Sequence, residues 1–259
     1  MVNIAYRTRQ RSMQAPGFFW TPPDYVAGDT VKVVGPEARH AVTVCRLRKG
    51  EMMTVADGEG NAYDCEVTRA TPREVAGKII RAHRHLGEPV AQVALAAGIG
   101  KPQSFDWIVE KAVELGAVRV IPIRAEQSPP GIGGPDTARR KVERWRRLSL
   151  GAMKQSLRSV WPEVAVVISP NELASSVGGY DFAWLADAEG IRLEGPSGPA
   201  AKRCTALVIV GPEAGFTNDE RREFIEAGAQ PVQLGNRRLR AETAAIAALT
   251  LVMHHLGEL

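Results

Sequence analysis

Residues 234–245 read LGNRRLRAETAA. They follow a strand-like PVQL (231–234) and open a helix, ETAAIAALTLVMHHL (242–256), that is almost entirely apolar. A surface helix has no need of three arginines within four positions at its start, and a buried helix has no room for them. Glu242 suits the positive end of a helix dipole. Arg237, Arg238 and Arg240 have no such local reason. Arginine where a strand meets a helix reads phosphates or nucleobases through its planar fork of donors, so this turn is a candidate ligand site.

Working upstream, strands and helices alternate. TNDERREFIEAG (217–228) is a helix, with Thr217 as N-cap and Glu220 as the third-residue partner of a capping box. ALVIVG (206–211), DFAWLAD (181–187), VAVVIS (164–169), VRVIPI (118–123) and AQVALAAGI (91–99) are apolar runs of strand length. A long basic helix spans 136–158. SFDWIVEKAVELG (104–116) places Phe105, Ile108, Val109, Ala112 and Leu115 on one helical face, and Gly116 stops it. The pattern predicts an α/β domain with a mostly parallel sheet covered on both faces. PPGIGGP (129–135) and EGPSGPAAKR (194–203) read as loops.

The first third is different. DTVKVVG (29–35), EMMTVADG (51–58), AYDCEVTRA (62–70) and EVAGKIIRAH (74–83) are short strands separated by turn residues, including DGEGN (57–61). They predict a small β barrel or sandwich. PEARHAVTVCRLRKG (36–50) holds a short helix opening near Pro36 and Glu37. The change of pattern at LGEP (86–89) divides the chain into a β domain, 1–88, and an α/β domain, 89–259.

In 259 residues, 44% hydrophobic and 24% charged, no apolar run is long enough to span a bilayer, and the basic N-terminus MVNIAYRTRQRSMQAPGFF lacks a signal-peptide core. A cytoplasmic protein is expected. Cys45, Cys65 and Cys204 have no metal-ligand spacing, so reduced thiols and no metal are expected. The net charge of +4 suggests a polyanionic partner; residues 1–88 contribute +3 of it.

In open α/β sheets, ligands bind beyond the carboxyl ends of strands. LADAEG (185–190), GPEAGF (211–216) and LGNRRLRAETA are three such ends. Gly211 and Gly215 permit close backbone approach, whereas Glu213 would repel a pyrophosphate. GIGKPQ (98–103) is not a phosphate loop, since Pro102 stands where Ser or Thr would ligate magnesium. His83, His85, His254 and His255 read as structural or solvated residues.

GPEAGFTNDE followed by LGNRRLRAETA resembles the paired signatures of the RsmE-type SPOUT methyltransferases. FDWIVEKAVELGAVRVIPI (105–123) resembles their first α/β unit, and ARHAVTVCRLRKGE (38–51) their N-terminal RNA-binding signature. Ala214 stands where the family usually has a second glycine, Asn236 and Arg238 interrupt a run usually like LGPRILR, and Arg39 replaces one of two adjacent histidines. The resemblance implies a PUA-like β domain, residues 1–88, before a SPOUT domain, 89–259, that carries a deep C-terminal trefoil knot. It implies a homodimer that uses S-adenosylmethionine, and no metal, to methylate N3 of a uridine in 16S ribosomal RNA. By the same resemblance Leu185, Ala186, Gly211, Glu213, Gly215, Leu234, Gly235, Asn236, Leu239 and Thr243 wrap the cofactor. Arg240, with Arg237, holds the anionic base, and Glu242 accepts a proton or orients an arginine. His40, Arg46, Arg48 and Lys49 engage RNA.

Two other readings use the same residues. One is a SPOUT methyltransferase acting on tRNA, at a ribose hydroxyl or a base. The other is a non-catalytic RNA-binding factor for ribosome assembly. A Rossmann oxidoreductase would need a glycine fingerprint that the chain lacks.

Overall fold

The computed structural model describes residues 17–130, 134–193 and 203–259. The basic stretch 1–16 and parts of the two predicted loops, 131–133 and 194–202, lie outside the described residues. The chain forms two compact units. One comprises residues up to Glu88 together with Met153–Trp161; the other comprises Pro89–Ala152 and Pro162–Leu259.

The first unit is a six-stranded sheet. Its strands are β1 (Phe18–Trp20), β2 (Val26–Ala27), β3 (Thr30–Val34), β4 (Met52–Ala56), β5 (Asn61–Ala70) and β6 (Glu74–Arg84), in the order β1-β4-β5-β6-β3-β2. Only β1 and β4 pair in parallel. Alternate residues Val31, Val33, Met53, Val55, Cys65 and Val67 point into one core, because side chains of a strand alternate between faces. Burial, and then Asp64, push the Cys65 thiol up to about 12, which keeps it protonated and inert. The DGEGN turn is held by Asp57, whose carboxylate accepts from the Glu59 and Asn61 amides at 2.8 and 3.0 Å. The helix α1 (Gly35–Thr43) buries Ala38 and Ala41.

The second unit is built on β7 (Gln92–Gly98), β8 (Arg119–Ile123), β9 (Glu163–Val164), β10 (Phe182–Ile191), β11 (Thr205–Val210) and β12 (Gln230–Val232). Their order is β12-β10-β11-β7-β8-β9, and every pairing is parallel. Five helices cover it: α2 (Pro102–Glu114), α3 (Pro135–Gln155), α4 (Pro170–Val177), α5 (Asn218–Glu226) and α6 (Ala241–His255). Val93, Leu95 and Ala97 pack on one side with residues of α2, α3 and α6. Ala94 and Ala96 pack on the other with Leu173 of α4 and Phe224 of α5. Both faces are thus buried, which is why these strands read as continuous apolar runs.

Three predicted elements differ. DFAWLAD continues as strand to Ile191, so LADAEG lies within β10, across the register shift in its pairing with β12, and not beyond a strand end. VAVVIS keeps only Val164 as strand, the last residue of β9, with an isolated bridge at Ile168; it lies at the sheet edge, and Val166 is exposed. The long helix ends at Gln155 rather than 158, because Leu157 adopts φ 60° and the Arg158 amide returns to the Met153 carbonyl at 3.0 Å. The residues after this stop, which the sequence places in the α/β domain, belong to the first unit. The Ser159 amide donates to Leu86, the Trp161 amide donates to Gly58, and Trp161 meets Trp20 edge-on at 5.4 Å.

Candidate active site

Because the second sheet is all parallel, the ends of β10, β11 and β12 open on one edge. The end of β11 turns at Gly211. Gly215, at φ 83°, donates to the Pro212 carbonyl at 2.8 Å, and the loop is so tight that a Cβ on Gly211 would lie 3.1 Å from the Gly215 Cα. The predicted capping box is formed: Thr217 Oγ1 accepts from the Glu220 amide, and the Glu220 carboxylate accepts from the Thr217 amide. Its other oxygen accepts from the Glu126 amide at 2.8 Å, which ties the start of α5 to the chain after β8 and explains the burial of Glu220.

The end of β12 is held against β10. The Gln233 amide donates to Ile191 at 2.7 Å, and a Cβ on Gly190 would lie 2.4 Å from the Val232 nitrogen. Gly235, at φ 131°, then turns the chain out. Arg240 is the N-cap residue of α6 and makes no side-chain capping bond.

These two turns and the middle of β10 enclose a cavity of about 460 Å³, within the ~300–1,000 Å³ usual for small-molecule sites. Leu185, Ala186, Gly211, Glu213, Gly215, Leu234, Gly235 and Leu239 all line it. Arg237 and Arg238 line it too. A second cavity of about 1,130 Å³ is lined by Lys101, Trp107, Glu213, Arg240, Glu242 and Thr243, among others. Glu213 forms a wall of both.

The structure therefore separates residues that the sequence reading joined. Arg237 belongs with the first cavity and not with Arg240. Thr243 borders the second, because helical spacing turns Ala241 and Ala244 toward the first. Asn236 lines neither; past the Gly235 turn it is exposed.

Two features escaped sequence reading. Asp187, inside β10 where its register with β12 shifts, forms an ion pair with Arg221 of α5, whose Nη2 also reaches Glu189 at 3.0 Å. Hydrogen bonding to Asp187 raises the already high Arg221 pKa, so the cavity wall carries a permanent cation. The signal was partly available: a base directly after the capping box and an acid within the LADAEG stretch. The second feature is GIGK. A Cβ on Gly98 would lie 2.3 Å from Pro212 Cδ, and one on Gly100 would lie 2.0 Å from Glu213 Oε2. These glycines are small to admit the GPE turn, whose Glu213 accepts from the Lys101 amide at 3.0 Å beside the start of α2. Gly100→Ala should displace this carboxylate and cost about 1.5–3 kcal/mol, the range for a hydrogen bond to a charged group. A shift of the denaturant midpoint measures it, and an unchanged midpoint would show the Glu213 contact to be idle.

In the first unit, His40, Arg46, Arg48 and Lys49 are all exposed. His40 Nε2 lies 3.5 Å from Cys45 Sγ and, with Arg39 and Arg73, lines a shallow cavity that the other three do not reach. Among the described residues, no group of three His, Cys, Asp or Glu is placed to hold a metal ion, and no helix is long and apolar enough to cross a membrane.

A family model described as an RNA methyltransferase domain matches residues 87–253, and one described as an RNA methyltransferase PUA domain matches 35–80. Over 240 residues the chain is 32% identical to ribosomal RNA small subunit methyltransferase E of Mycobacterium tuberculosis, covering 90% of this chain and 88% of that protein. Over 231 residues it is 29% identical to the Bacillus subtilis protein of the same name, covering 87% and 90%. A solved structure of ribosomal RNA small subunit methyltransferase E from Neisseria gonorrhoeae, bound to S-adenosyl methionine, is 25% identical. It covers 92% of this chain and 96% of its own, with a TM-score of 0.77.

Proposed function

As the chain belongs to the ribosomal RNA small subunit methyltransferase E family, we propose that it methylates N3 of a uridine in 16S rRNA with S-adenosylmethionine. RNA methylation is the family's chemistry; the base position and the residue roles are the finer part of the reading. The observation that carries it is the pair of adjoining cavities sharing Glu213, one formed by the turns after β11 and β12 against β10, the other edged by Arg240 and Glu242.

The first cavity fits the cofactor. Leu185, Leu234 and Leu239 offer apolar surface for an adenine, the glycine turns present backbone groups, and the rim carries both signs of charge. Arg221, Arg237 or Arg238 would meet the carboxylate, and Asp187 or Glu213 the ammonium and the sulfonium. Bound there, S-adenosylmethionine supplies an activated methyl group, and the protein's part is mainly alignment. Uracil N3–H is a weak acid that must lose its proton before or during attack. Arg240, permanently charged, is a poor base but stabilises the developing anion. Glu242, in the same cavity, accepts the proton or orients Arg240. In this reading the enzyme is cytoplasmic, the segment 231–240 beside β10 completes the trefoil knot, and two copies pair. The support for pairing is α6, which is apolar nearly all round and leaves Leu251 exposed.

Incubation of 16S rRNA and of 30S particles with the protein and labelled cofactor, followed by mass mapping, tests the reaction; the expected product is one N3-methyluridine. Titration calorimetry should find cofactor binding that is indifferent to a chelator. Dependence on a divalent ion, or no heat at millimolar cofactor, would defeat the site assignment.

A further inference from the structure

The basic excess of the first 88 residues comes from Arg7, Arg9 and Arg11, outside the described residues; residues 17–88 carry as many acids as bases. The concentrated charge of the described chain is on α3. Five arginines and two lysines there oppose Asp136 and Glu143, a net +5 on one helix of a chain whose total is +4.

Packing fixes which side of α3 is buried. Val142 and Trp145 enter the core, and Trp145 Nε1 donates to Asp106 at 3.1 Å. Beside this seam, α3 and the chain that follows β8 and β9 enclose a groove of about 590 Å³. Exposed Arg124, Arg139 and Arg146 edge it, and Val142, Val167 and Ile168 give it an apolar floor. Arg146 Nε donates to the Val164 carbonyl at 3.2 Å, which anchors that guanidinium along the wall. Two acids also line the groove. Glu172 accepts from the Ser169 amide and hydroxyl, bonds that depress its pKa, and it sits at the positive end of α4. Glu143 is the other.

We propose that this groove binds the ribose–phosphate backbone of the RNA that flanks the methylated base. The proposal rests on the rRNA methyltransferase reading. Three observations on the molecule carry it. Guanidinium forks match phosphate geometry, and the helix uses arginine over lysine five to two. An apolar floor between cations accepts a base or ribose face while the phosphate meets the rim. The groove also opens at the carboxyl ends of β8 and β9, on the edge of the parallel sheet that carries the two cavities. From β11 to β8 is two strand spacings, about 10 Å, within reach of nucleotides flanking the target.

The test is the salt dependence of binding to protein-free 16S rRNA, with cofactor affinity measured in parallel. Arg124→Gln/Arg139→Gln should bind S-adenosylmethionine as the wild type does but lower the slope of log affinity against log salt by about 1.4, or ~0.7 for each contact to single-stranded RNA. An Arg46→Ala/Arg48→Ala/Lys49→Ala variant sets the scale for the exposed bases of the first unit. An unchanged slope in the Arg124/Arg139 variant, while the wild type still methylates, overturns the groove and leaves the enzyme reading intact. Competition by polyglutamate as strong as by RNA would also overturn it, marking the groove as a site for an acidic protein. Failure of the wild type to bind or methylate rRNA would remove the enzyme reading itself, and the groove with it.

Discussion

Arg240→Ala should methylate about a hundredfold more slowly than the wild type in a single turnover, the cost of one oxyanion-type donor, while binding S-adenosylmethionine equally well. The separation follows from placement. Arg240 lines the cavity of Glu242 and Thr243 and not the one assigned to the cofactor. Its side chain is exposed and makes no capping bond, so truncation leaves α6 and the core intact. An interaction made mainly in the transition state appears in turnover rather than in ground-state binding. Arg238→Ala should show the converse pattern, a weaker cofactor affinity with a smaller change in rate, because Arg238 stands in the first cavity's wall. Single-turnover rates and calorimetric affinities of both variants decide the matter. A wild-type rate for Arg240→Ala would remove the catalytic assignment, and a variant that unfolds would make this arginine structural.

Most of the second unit was legible because its strands are buried on both faces and its helices carry plain periodicity. AQVALAAGI could hardly be anything but a central strand, and Thr217 with Glu220 announced the start of α5. The ends of β11 and β12 were legible for the same reason, since parallel order alone places them on one edge, whereas LADAEG lies within β10. What escaped depends on contacts distant in sequence. Gly98 and Gly100 looked like a failed phosphate loop, and nothing local says that they make room for Pro212 and Glu213 more than a hundred residues later. The separation of Arg237 from Arg240 depends on Gly235 at φ 131° and on the phase of α6. The basic character of α3 was visible, but an average over 171 residues cancelled it against acids elsewhere in the domain.

The same limit applies to Glu88, which carries the largest expected effect on stability. The sequence reads it as part of a polar junction, LGEP; the fold buries it. Glu88 and Arg158 side chains are 6% and 2% exposed. Arg158 donates through Nε and Nη2 to one carboxylate oxygen at 3.1 and 2.6 Å, and the Val160 amide donates to the other at 2.9 Å. Glu88 thus fastens the segment after α3 to the first unit, next to Gly87, where a Cβ would lie 2.8 Å from the Leu157 carbonyl. Glu88→Ala should cost about 3–5 kcal/mol, because a buried guanidinium loses its carboxylate and an amide its acceptor. Glu88→Leu/Arg158→Met should cost clearly less, since removing both charges also removes the desolvation penalty. Chemical denaturation followed by tryptophan fluorescence, to which Trp20 and Trp161 contribute, measures both. A single variant no worse than the double would mean that water reaches Arg158 and that the fastening comes from the backbone bonds of Ser159 and Trp161 alone.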